Sequence, residues 1–133
     1  MIKAFCIDSN KSGDDVYIAG LENQSSQVLP VVYICKFEAY FSLIQVVQLS
    51  STMNVTNIVK IRRFEGNNNF VVACNSHLMI YDIADKKIWK LMDVHNEDIV
   101  DFALCKDTIV TKGVGYGPFK MVKIDDSIKS LIE

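Results

Sequence analysis

Two stretches of the sequence decide the fold: NIVKIRRF at residues 57–64 and DIVDFALC at residues 98–105. Both are rich in the β-branched and aromatic residues that favour strands. The apolar pair Ile58 and Ile61 of the first stretch recurs 41 residues later in the second. A fixed offset between similar strand candidates predicts an internal repeat of small β units.

The repeat extends through the three strand candidates that follow each stretch. Their offsets are 38, 42 and 40 residues, measured from Val72 to Val110, from Ile80 to Val122 and from Leu91 to Leu131. Four candidates before residue 57 follow the same order, which makes twelve in all. The second connection of this first unit, ENQSSQVL at residues 22–29, is longer, polar and unpatterned, and we expect it to be a mobile loop.

A four-strand unit with a period of about 40 to 45 residues is typical of a β-propeller blade, whose sheet buries its faces by stacking on neighbouring blades. We therefore predict a single all-β domain, a propeller segment of three four-stranded antiparallel sheets in an incomplete ring. The expected blades span about 1–50, 55–93 and 95–133. A β-sandwich or a small closed barrel would also space short strands regularly, and the pattern leaves these folds open.

Three blades are fewer than the 4 to 8 that typically close a propeller ring. We therefore expect further blades from a longer protein, or association with another copy, of which a two-fold homodimer is the simplest form. Each unit contains four strand candidates of its own, so no strand is expected to cross to a neighbouring sheet.

Composition and charge exclude several functional classes. Hydrophobic residues make up 50% of the 133 residues, enough to build a packed core. The 14 basic and 16 acidic residues leave a net charge of −2, which disfavours nucleic-acid binding. Apolar runs fall short of a membrane span and the amino terminus lacks signal-peptide features, so a cytoplasmic or nuclear protein, not a secreted one, is expected.

The cysteines and histidines are scattered, which argues against a cofactor or a metal site. The four cysteines are separated by at least 29 residues and lie within or at the end of apolar runs, so core packing is their expected role: Cys6, Cys35, Cys74 and Cys105. The two histidines, His77 and His95, have no zinc-binding spacing. No nucleophile, base and orienting group can be assembled, so we expect no catalytic residues and no enzymatic activity.

The second unit resembles the WD-repeat family. Its third strand candidate, LMIYDI at residues 78–83, is similar to the family's strand ending in Trp-Asp, with Tyr81 in the Trp position and Asp82 following. In DVHNEDIVDFAL, at residues 93–104, Val94 and His95 resemble the Gly-His pair before an innermost strand. The resemblance implies a rigid platform that binds other proteins through loops and blade edges, without catalysis.

Candidate protein-binding residues follow from this implied role: His77, Trp89, His95 and Tyr116. Each has a plainer interpretation. His77 and His95 would also suit solvated turns, Trp89 would suit the core, and Tyr116 lies in the wide turn GVGYGP.

Arg62 and Arg63 resemble the paired arginines of phosphoinositide-binding propellers, which implies an anion contact. Strand alternation instead aims them at opposite faces, as at a solvated strand end. Two alternatives to a protein scaffold therefore stay open, a phosphoinositide-binding propeller and a small closed barrel that carries an apolar ligand.

Overall fold

The structure, a computed structural model, describes residues 2–9, 14–24, 26–50, 57–64, 69–91, 97–115, 117, 119–124 and 129–132. These residues form strands, turns and bends and contain no helix, so the all-β prediction is confirmed. No described helix is therefore long and apolar enough to cross a bilayer.

Twelve strands are described, in agreement with the sequence. Their bounds are β1 Ile2–Ser9, β2 Asp15–Gln24, β3 Gln27–Phe37, β4 Phe41–Gln48, β5 Ile58–Arg63, β6 Phe70–Cys74, β7 His77–Asp82, β8 Lys87–Leu91, β9 Ile99–Cys105, β10 Thr108–Gly113, β11 Lys120–Lys123 and β12 Lys129–Ile132.

The strands form three antiparallel sheets, as expected. The first sheet has the order β1-β2-β3-β4, the second β5-β6-β7-β8-β12 and the third β9-β10-β11. No ladder among the described residues joins these sheets into one closed barrel.

One strand is placed differently from the sequence-based expectation. β12 pairs antiparallel with β8, from Lys129 opposite Leu91 to Ile132 opposite Ile88, and so crosses from the third unit to the second sheet. The expectation that every unit keeps its own four strands is therefore wrong. β12 satisfies backbone groups along the outer edge of β8 that would otherwise lack strand partners.

The connection at residues 22–29 also differs from the expected loop. β2 continues to Gln24 and β3 begins at Gln27, and these two residues pair across a tight hairpin. The hydroxyl of Tyr33 donates a 2.6 Å hydrogen bond to Glu22 Oε2 beside it. Ladder hydrogen bonds join backbone groups, so polar side chains at an exposed sheet end do not prevent strand formation.

The second sheet lies between the other two and is buried on both faces. One face packs on the first sheet, where Phe70 lies with its ring centroid 5.2 Å from those of Tyr17 and Tyr81. The other face packs on Ile99, Phe102 and Ile109 of the third sheet. The sequences of β6 and β7 are therefore continuous apolar runs without polar alternation, because the side chains on both faces of these strands are buried.

The first strands of the three units, β1, β5 and β9, make the polar contacts that join neighbouring sheets. The backbone N–H of Arg63 on β5 donates to Asp8 Oδ2 on β1 at 2.9 Å. On the other side, Lys60 Nζ lies 2.9 Å from Asp101 Oδ1 on β9. Lys60 and Asp101 are 41 residues apart, the offset that relates the two stretches quoted first. Positions equivalent in the repeat thus lie side by side in the fold.

The buried ring of Phe70 provides a test of this packing. Replacing Phe70, which is fully buried, with Ala should lower the free energy of unfolding by about 3 to 5 kcal/mol, because it leaves a cavity between two tyrosine rings. Phe119→Ala is the matched control, since Phe119 is 69% exposed and its removal should change stability by less than about 0.5 kcal/mol. Urea denaturation followed by fluorescence measures both; equal losses would contradict the stacking.

Candidate protein-interaction surfaces

The first sheet has one face packed on the second sheet and one face turned outward. On the outward face, Ile7 is opposite Ile18, Ile18 opposite Tyr33, and Tyr33 opposite Val46. Directly opposed residues share a face, so these four side chains form a row across the whole sheet. Ile7 is 52% exposed and Val46 49%, which leaves both ends of the row in contact with water.

Exposed apolar residues concentrate at the outer edge of this sheet. We call them the β4 patch: Phe37, Tyr40, Phe41, Leu43, Ile44 and Val46. The rings of Phe37 and Phe41 are in contact across the hairpin, with centroids 4.9 Å apart and ring planes tilted by 53°. These six side chains are 45% to 74% exposed, and clusters of exposed apolar side chains are often interaction sites in other proteins.

The outward face of the third sheet has a different chemistry. Val100 and Met121 are exposed there, but Asp101 lies opposite Lys112 across the same ladder. Lys123 approaches Asp107 at 4.0 Å on the adjacent hairpin. Charge is therefore mixed with apolar surface on this side of the stack.

A cleft of ≈ 850 Å³ opens between the second and third sheets. Its apolar lining is Phe64, Ile80, Trp89, Phe102, Ala103, Leu104 and Ile124, and its polar lining is Lys60, Arg62, Arg63, Asn69, Asp82, Lys106 and Asp107. Four cations against two carboxylates make the cleft positive. The lining combines an apolar surface with hydrogen-bond donors, a combination suited to binding a segment of another molecule.

Lys60 is fixed at the inner side of the cleft. Its ammonium group donates to Asp101 Oδ1 and to the carbonyl of Phe102, both at 2.9 Å, and lies 5.6 Å from the Phe102 ring centroid. The hydrogen bond from Lys60 lowers the pKa of the Asp101 carboxyl from its usual value, although desolvation opposes the shift. Lys60 therefore serves mainly to join β5 to β9.

The two arginines both contribute to the cleft lining, although alternation predicts opposite faces. They lie at the end of β5, where long side chains can turn back along the backbone. Arg62 Nη1 donates to the Ile61 carbonyl at 2.7 Å, and Arg63 donates to the carbonyls of Ser9 and Phe64. These contacts give both guanidinium groups a structural role at the strand end.

The structure brings Trp89 into the same cleft as the arginines, but not His77. Trp89 lies on β8 and is half-buried. It packs against the apolar core between the second and third sheets, in line with the core interpretation. His77 begins β7 opposite Cys74, at the end of the second sheet away from Arg63. His77 is thus a strand residue and not a turn residue. His95 and Tyr116 lie outside the described residues.

The β4 patch is not evident from the amino-acid sequence. The sequence predicts a strand over LIQVVQL at residues 43–49, but nothing in this stretch distinguishes an exposed strand from a buried one. The informative signal was the absence of charge from Phe41 to Gln48 in a strand that ends its unit. An outermost strand normally carries charges or proline, and β4 carries neither.

The cysteines differ in environment more than their apolar flanks suggest. Cys74 is buried as expected, and desolvation raises the pKa of its thiol far above the usual value. Desolvation also raises the pKa of Cys6 to about 11, against a smaller lowering by Arg62. Cys105 is exposed, because it ends β9 at a turn, so the core-packing expectation is wrong for this residue.

Comparison of the chain with protein-family models, with curated proteins and with solved structures finds no match.

Thiol reactivity should separate these environments. Only the thiolate reacts with maleimide, so at pH 8 the native chain should label at Cys105 and remain unlabelled at Cys74 until urea unfolds it. Peptide mapping by mass spectrometry identifies the labelled site. Equal labelling of both thiols in the native state would contradict the buried position of Cys74.

Alkaline pH should also weaken the fold through Cys6. Burial raises the pKa of the Cys6 thiol from its ordinary value of 9.0 to about 11, so the folded state holds the proton more tightly. This contribution is present below about pH 9 and is lost as the pH rises toward 11. Cys6→Ser should reduce the fall in unfolding free energy over this range, and an unchanged fall would contradict the assignment.

Proposed function

We propose that this chain is a non-catalytic, WD-repeat-like propeller segment that acts as a protein–protein interaction scaffold. One observation carries the proposal: the second sheet is covered on both faces, while the first sheet has an apolar row on its outward face whose two ends, Ile7 and Val46, are exposed. A sheet with an apolar outward face gains stability when another surface covers it. The stack is thus suited to continue beyond its first sheet.

The arrangement of the sheets supports the propeller interpretation. Each sheet starts with an inner strand, and β1, β5 and β9 contact one another in that order. The next strands follow outward in chain order, and the sheets pack face to face. A ring needs at least four such sheets in typical propellers, so three leave two faces for further blades or for another chain.

The two outward faces of the stack fit different partners. The apolar row of the first sheet fits a complementary apolar surface, such as the face of another β-sheet. The third sheet, with Asp101, Lys112 and Lys123 among its outward residues, fits a surface that also carries charge. The positive cleft adds a third contact area, which favours acidic segments of a partner.

The outward row can be tested with a matched pair of single-charge variants. Ile7→Lys places a charge in the row at a site 52% exposed, and Ala84→Lys adds the same charge at an exposed turn outside it. Affinity capture from cells that express the chain, quantified by mass spectrometry, should retain partners with wild type and Ala84→Lys and lose them with Ile7→Lys.

A dye that fluoresces on apolar surfaces gives an independent measurement on the purified protein. Ile7→Lys should reduce its binding several-fold relative to Ala84→Lys, because the row is interrupted. A partner set that is the same for both variants, together with equal dye binding, would remove the outward row as the basis of the scaffold role.

A further inference from the structure

The outer edges of the three sheets differ in how they are protected from pairing. The edge of β8 is covered by β12. β11 has four residues and carries Lys120 and Lys123 at its ends. β4 has eight residues, FSLIQVVQ, without charge or proline, and no further strand pairs with it among the described residues. Of these edges, β4 has the chemistry of a strand that pairs with another chain.

The backbone of β4 presents hydrogen-bonding groups on its open side. The N–H of Leu49 donates to the carbonyl of Pro30 at 2.9 Å. The backbone groups of Leu49 therefore point inward, toward β3. Inward and outward pairs alternate along an antiparallel ladder, so the groups of Val47 point to β3 and those of Val46 and Gln48 point away from it. A strand laid along β4 would find donors and acceptors at these outward positions.

We propose that β4 pairs antiparallel with β4 of a second copy of this chain about a two-fold axis. The pairing would join the two first sheets, of four strands each, into one continuous sheet. This inference rests on the interaction role proposed above and names the partner of one edge. This pairing involves the backbone edge of β4, whereas the scaffold role proposed above involves the outward face of the first sheet.

Three features favour a second copy as the partner. The strand that best complements an uncharged apolar edge is another uncharged apolar strand, and β4 supplies one. The exposed apolar side chains of β4 would lie beside those of the second copy and form one continuous apolar surface across the joined sheet. Lys36 and Glu38 beside the hairpin lie 3.5 Å apart and balance in charge, so two copies meet without like-charge repulsion there.

The fold also shows that its outer edges accept an additional strand. β8 holds in the second sheet the fourth position that β4 holds in the first, and β12 pairs with β8 in the antiparallel sense as a fifth strand. A two-fold pairing of β4 uses the same geometry between chains and closes at two copies.

Light scattering of the full chain after size exclusion tests the pairing. Wild type should have twice the chain mass of 15.0 kDa. Val46→Pro should be monomeric, because proline removes an outward N–H and blocks pairing without breaking a bond to β3. Ile7→Lys is the matched control: it lies at the opposite end of the same row, and it should remain a dimer while losing the partners of the outward face.

A second variant and a second measurement cover the case in which Val46→Pro does not fold. Val46→Lys keeps the backbone donor and adds the charge that guards natural edges, and it should weaken the dimer at least tenfold. Hydrogen exchange on wild type should show the amides of Val46 and Gln48 becoming less protected on dilution, with those of Val47 unchanged.

Several results would overturn the inference. They are a wild-type monomer at all concentrations tested, larger open-ended assemblies, or a dimer that survives both Val46 variants. A dimer lost with Ile7→Lys but kept with Val46→Lys would assign association to the sheet face and remove the strand edge. Loss of the dimer with Val46→Pro, which adds no charge to the row, together with a dimer that persists with Ile7→Lys, would support the edge pairing and separate it from the scaffold role.

Discussion

The burial of the second sheet on both faces is the constraint on which the rest of the structure depends. β6 and β7 expose almost no side chain to water, so neither the first nor the third sheet can be removed without opening a core. Each outer sheet gives up one face to cover the second sheet and keeps the other face outward. The positions of the cleft, the apolar row and the open edge all follow from this order of layers.

Much of this order could be predicted from the sequence. The 41-residue offset anticipated the adjacency of β5 and β9, because equivalent positions of stacked sheets lie close together, as Lys60 and Asp101 do. The apolar runs of β6 and β7 anticipated their two-sided burial. These features depend on periodicity and hydrophobicity, which a single sequence contains.

Other features could not be predicted because they depend on which strand lies next to which. KSLI at β12 has the pattern of any short strand, and nothing in it selects β8 over β11. The polar hairpin at Gln24 and Gln27 forms through backbone bonds that do not depend on side-chain polarity. Exposure of the β4 patch follows from the position of β4 at the end of its sheet, which the composition of the strand does not show. The cleft combines Trp89 with Arg62 and Arg63 through the packing of two sheets, a relation absent from their spacing.

The pairing of β12 with β8 has a consequence for the mechanical behaviour of the stack. Lys129 lies opposite Leu91, so the 37 residues between them form a loop whose two ends are fastened together on the second sheet. The third sheet lies inside that loop. Tension applied between these two ends is therefore borne first by the short β8–β12 ladder, and the third sheet carries load only after that ladder has unzipped. Under such tension the β8–β12 pairing is therefore expected to break first, while the inner strands of the three sheets keep their register.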